Sequence, residues 1–180
     1  MELLLQSTPV ALWHDIIHDA EKSSSIALPE ELESYLVFLL MRYLNKPEML
    51  KQIIAYEFLQ GVNLPASQRA VVLQDVGDKC LLFAGLFPFI ADKRLVRISY
   101  FVNMGQSAYS TISKEHSDLY GVLGMKFVSL MEVLQSIRAH TREYPDLLPL
   151  QAHELWSDTG SQRAFSVLKQ YTSALPLRSK

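Results

Sequence analysis

Six of the eight prolines stand where a stretch of helical spacing begins or stops, and that punctuation most constrains the fold. Proline lacks a backbone N–H, so it is tolerated in a helix's first turn and breaks its interior. Between prolines, apolar residues recur at three- and four-residue steps, while alternation of the strand type is scarce. The pattern predicts helices over about Pro9–Lys22, Pro29–Leu44, Pro47–Gly61, Ser67–Phe87, Lys93–Ser113 and Ser117–His140. Two short ones follow, about Pro149–Trp156 and Ser161–Tyr171. Thr8 suits the first N-cap, Glu30 and Glu31 suit the positive end of the second helix, and Gly61 suits the third helix's C-terminus. Gly77 is expected to kink or divide the fourth helix, and Pro88 to stop it. The expectation is a single all-α domain over residues 1–180, an irregular bundle of about seven helices. The "YLVFLLM" helix would lie centrally, and the tail would fray from about residue 175.

Composition closes several alternatives. The chain has 180 residues, enough for one domain with a sizeable core. Its net charge of -2 offers no general basic surface for nucleic acid. No basic and aromatic interleaving suggests stacked bases. The single cysteine, Cys80, excludes an intramolecular disulfide and a Cys-based zinc site, and fits a reducing compartment. The start, "MELLLQSTPVALWHD", lacks the basic, long apolar form of a signal peptide. No uncharged run reads as a membrane span. A cytoplasmic protein is expected.

The most informative stretch is "RLVRISYFVNMGQSAY", Arg94–Tyr109. On a helix, Tyr100, Asn103, Ser107 and Ser110 share a seam, beside an apolar stripe of Phe101, Met104 and Ala108. One reading is a central packing helix with a few satisfied polar groups. The other is a pocket wall, with Arg97, Tyr100, Asn103, Ser107 and Tyr109 facing a ligand. If this helix and the preceding one form an antiparallel hairpin turning at Pro88–Asp92, Asp78 and Asn103 each lie about 15 Å from the turn. Asp78 would then meet the Asn103–Ser107 seam or Tyr100. A buried carboxylate needs such partners.

"GDKCLLFAGLFP" at Gly77–Pro88, "YFVNMGQSAY" at Tyr100–Tyr109 and "YLVFLLMRYL" at Tyr35–Leu44 together cover about half the chain. In these segments the chain resembles a small family of uncharacterised proteobacterial helical proteins. The resemblance implies a bacterial origin and a helical fold, and it brings no reaction, cofactor or catalytic residue.

Other constellations are thin. "HDIIHD" puts His14 and His18 on one helical face, the geometry of a zinc pair, but Asp15 stands where a metalloprotease has glutamate and no third ligand is apparent. The bland alternative is a solvated face. No Glu-x-x-His pair supports a di-iron bundle, and none of the five histidines is marked out as a haem ligand. There is no phosphate-binding glycine loop and no nucleophile elbow. Cys80 sits in an apolar run, where a thiol is unreactive. Three functions stay open. The leading one is a non-catalytic protein-interaction or regulatory module, binding a protein partner or itself and needing no cofactor. The second is a small-molecule binder or enzyme, with a polar pocket between the helices at 67–87 and 93–113. The third is a metalloprotein using His14 and His18.

Overall fold

The computed structural model describes residues 8–141 and 147–173. Among them the chain is all-α: ten α-helices, one 3₁₀ helix and no strand. The expected fraying from about residue 175 falls outside the described residues.

Helix α1, Pro9–Ser24, starts as its sequence dictates. The Thr8 hydroxyl accepts the Ala11 N–H at 3.2 Å, and Pro9 takes the first turn. Ser25 ends it in the left-handed region at φ 55°. Helix α2, Glu30–Tyr43, carries Glu30, Glu31 and Glu33 in its first turn, against the positive end of its dipole. The stretch after it is less regular than its spacing suggests. Pro47–Lys51 is 3₁₀, Gln52 is extended, and α3 runs from Ile54 to Val62. Gly61 is not the cap. The helix passes through it, and its missing side chain lets α3 sit against Leu73.

The centre is an antiparallel pair, α4 (Ala66–Gly85) and α6 (Ile98–Ser113). Phe83 meets Phe101 edge to face at 5.4 Å, and Cys80 lies against Gly105. Further along, Asp78 meets Tyr109. Gly77 does not divide α4, which runs unbroken through it. It makes room: a Cβ there would stand 2.5 Å from the Tyr109 ring. The connection between the pair is longer than a simple turn. It holds the short α5, Phe89–Lys93, and α6 begins at Ile98. Leu95 in this link adopts φ 54° with its side chain 94% exposed. A side chain in that region costs about 1 kcal/mol and here buries nothing in return. Leu95→Gly is therefore expected to raise stability by about 0.5 kcal/mol after its backbone entropy is counted, read from the urea midpoint.

The sixth expected helix is two. Helix α7, Asp118–Met125, follows α6, with Gly121 and Gly124 beside Ser113 and Gln106. Helix α8, Phe127–Thr141, packs on α1 and α4 instead. A straight helix does not serve both sets of neighbours, so the chain turns at Lys126 and drives Phe127 into the Gly105 notch. Helices α9 (Pro149–Thr159) and α10 (Gln162–Tyr171) form a pair sealed by Trp156 stacked on Phe165 at 5.4 Å. All ten α-helices contribute to one hydrophobic cluster, and Phe87 and Val96 beside the short α5 pack against it. Helix α2 supplies six buried residues but is not enclosed: Phe38 and Met41 on its outer side are exposed. No helix among the described residues is long and apolar enough to cross a membrane.

Candidate functional site

Helix α4 carries Gln74, Asp75, Asp78 and Lys79 within an otherwise apolar run. Steps of three and four residues put Asp75, Asp78 and Lys79 on neighbouring positions of one face. In a core this demands partners, and four surrounding helices supply them. Asp78 is 1% exposed. Its Oδ1 accepts the Tyr35 hydroxyl of α2 at 2.6 Å and the Tyr109 hydroxyl of α6 at 2.7 Å. Arg42, half-exposed on α2, holds Nη1 at 4.0 Å from Oδ2. Around this centre Tyr120 of α7 donates to Gln74 Oε1 at 3.0 Å, and Gln74 Nε2 donates to the Tyr35 hydroxyl at 3.4 Å.

A second, charged row adjoins it. The buried Lys79 ammonium pairs with Glu57 of α3 at 3.1 Å and with Asp75 one turn back along α4. Asp75 also accepts the Tyr43 hydroxyl of α2. The Tyr43–Asp75–Lys79–Glu57 row thus ties α2 and α3 to the same turn of α4.

Burial dominates the electrostatics. It pushes the Asp78 carboxyl up to about 7, against the two phenol bonds and Arg42, which favour the anion; the nearby Asp75 charge adds to the rise. Burial, then the Asp78 charge, raises the Tyr35 and Tyr109 hydroxyls, so both remain donors at any physiological pH. Burial also holds the Cys80 thiol well above its ordinary range, which keeps it protonated and inert. The cluster can therefore take up and release one proton near neutrality, while its phenols and thiol stay protonated.

A sign follows for stability. Asp78 binds its proton more tightly folded than unfolded, so its contribution is fully present below the ordinary carboxylate range and is lost as pH rises to about 7. The loss is on the order of a few kcal/mol. Asp78→Asn, neutral throughout, should remove that part of the pH dependence, measured by urea denaturation between about pH 5 and about pH 8.

The structure divides the residues read from sequence as one pocket wall. Asp78 and Tyr109 meet, as partners of each other. Asn103 and Ser107 face outward and are exposed. Asn103 is level with the Phe83 turn, because α6 starts later than Lys93 and its register shifts. Tyr100 is partly buried beside Phe101, its hydroxyl raised by burial, and it makes no bond to Asp78. Arg97 caps α6 on the surface and pairs with Glu154 and Asp158 of α9, each at 3.3 Å; Ser99 donates to the same Asp158 at 2.6 Å. It joins helices and does not face Asp78. His18 is exposed, with Glu21 3.7 Å away, and His14 is a partly buried residue of the same helix. Among the described residues no group of three or more His, Cys, Asp or Glu side chains is arranged to hold a metal ion.

Tyr35, Arg42, Tyr43, Glu57, Gln74, Asp75 and Lys79 were not singled out as partners from sequence. A signal existed. Tyr35 and Tyr43 lie on one stripe of an apolar helix, and three charges interrupt the apolar run of α4. What sequence alone lacks is which helices bring the two sets together. Compared with known protein families, with curated proteins and with solved structures, the chain matches none of them.

Proposed function

We propose that this chain is a non-catalytic protein-interaction module whose docking face lies on the outer sides of α3 and α2. The observation that carries the reading is on α3. Ile53, Tyr56 and Leu59, spaced by three residues at and along this helix, are 69%, 61% and 60% exposed. A helix apolar on its outer as well as its inner side is ordinarily enclosed, so this one calls for a cover. Phe38, 62% exposed, and Met41 continue the apolar surface chemistry on α2. The two helices meet across Asp75 and Lys79 of α4, so the charged row beneath ties both stripes to α4.

The cluster's burial supports a binding role over a catalytic one: Asp78, the group in it that titrates near neutrality, is 1% exposed and out of a substrate's reach. Its tyrosines and cysteine stay protonated, and its lysine is neutralised by two carboxylates. The partner in the simplest form of the reading is a second copy of the chain. Sedimentation equilibrium tests it. The wild type should associate as concentration rises, and Ile53→Glu with Tyr56→Glu and Leu59→Glu should remain monomeric with an unchanged helical spectrum. Because these side chains already face water, the triple variant should lose less than about 1 kcal/mol of stability. A wild type that stays monomeric throughout, with the same solubility as the triple variant, would reject self-association through this face.

A further inference from the structure

Resting on that reading, we propose that Asp78 is a proton-operated latch on α2: its neutral carboxyl holds the helix against α4 and α6, and its ionisation releases it. The geometry has three parts. First, α2 reaches the polar row of α4 through the tips of Tyr35 and Tyr43, on Asp78 and Asp75. Phe38 and Met41 lie between those two tyrosines along the helix, so whatever moves the tyrosines moves part of the docking face.

Second, Asp78 is sealed on the other sides. From α6, Tyr109 donates to the same carboxylate oxygen, its ring seated in the space left by Gly77. From α7, Tyr120 reaches Gln74, not Asp78. On α4 itself, Asp75 repels a negative Asp78, and Lys79 is turned to Asp75 and to Glu57 of α3.

Third, the cation that faces Asp78 is Arg42 of α2, still 4.0 Å away and half-exposed. An ionised Asp78 therefore keeps two phenol donors in a site closed to bulk water. Outward movement of α2 lets water solvate the carboxylate, which offsets the burial cost that outweighs the Tyr35 bond and the Arg42 attraction in the closed site. A neutral carboxyl gives no such drive. Burial places the transition at about 7, inside the physiological range.

Hydrogen exchange of α2, corrected for intrinsic rates, tests the latch at about pH 6 and about pH 8. In the wild type, opening of this helix should be about tenfold more frequent at the higher pH. In Asp78→Asn it should be the same at both. The variant keeps all five histidines, so a pH response that persists in it assigns the effect elsewhere and overturns the latch. Should Asp78→Asn not fold, Tyr35→Phe serves. It removes the donor on α2 and should raise opening at about pH 6 toward the wild-type level at about pH 8; an unchanged level would overturn the latch. Sedimentation under the same conditions separates the two claims. Exchange that is independent of pH defeats the latch whatever the association. Exchange that depends on pH through Asp78 supports the latch, and absent association then counts against the docking face alone.

Discussion

Gly105→Ala lowers stability by about 2 kcal/mol, although alanine is the better helix former. Gly105 is inside α6, and a Cβ there would stand 2.4 Å from the Phe127 ring and 3.0 Å from Cys80 Cβ. The ring has no room to retreat: it is fully buried, with Tyr109 6.1 Å away, centre to centre. Forcing a methyl into such a place costs about 3 kcal/mol, and the helix-propensity gain of about 1 kcal/mol offsets only part. Gly77→Ala should behave alike, since its Cβ would meet Tyr109, which is held in turn by Asp78. Gly121→Ala is the control. Its Cβ would meet nothing nearer than 3.6 Å, so it should gain about 0.5 kcal/mol. Urea midpoints of the three variants rank them. The packing argument fails if Gly105→Ala is as stable as Gly121→Ala. Phe127→Leu added to Gly105→Ala should recover part of the loss, because the smaller side chain vacates the notch.

These glycines show what the sequence makes legible and what it does not. Helix existence was readable because proline position and apolar period are local properties: Pro9 and Thr8 specify the start of α1 without reference to anything distant. The pairing of α4 with α6 was readable too, as neighbours in a hairpin. Their register was not. It depends on how many residues the link consumes, and α5 with the left-handed Leu95 takes up what reads as the first turn of the next helix. That shift, and the outward turn of Asn103, is why Asp78 meets Tyr109 in place of Asn103. The division of Ser117–His140 at Lys126 was hidden for the same kind of reason. One apolar stripe runs through both halves, and only the positions of α6, α1 and α4 force the turn. Asp78 itself stood out, as a charge in an apolar run. The tyrosines that satisfy it come from 43 residues upstream and 31 downstream, contacts that no local pattern encodes.

Lys79→Met should cost about 3 kcal/mol, and its dependence on pH and salt should identify the cause. The ammonium is buried and bonded to Glu57 and Asp75, whose carboxylates keep part of their surface in water. Methionine fills the stem's volume and removes the charge, leaving two carboxylates facing each other beside Asp78. Stripping one member from a fully buried ion pair costs about 3–5 kcal/mol, and partial exposure puts this case at the lower end. Protonating either carboxylate relieves the repulsion, so the variant's deficit should shrink as pH falls toward about 4 and as salt rises. Asp75→Asn added to Lys79→Met should recover about 1 kcal/mol or more, giving a coupling that the two single changes do not predict by addition. A deficit equal at all pH values and salt concentrations would mean that Lys79 acts through packing of its hydrocarbon stem, and the charged row would then be incidental to the support of α3. If the coupling appears, α3 is held at its inner side by an ion triad whose charges depend on one another, while its outer residues Ile53, Tyr56 and Leu59 stay exposed and take no part in that support.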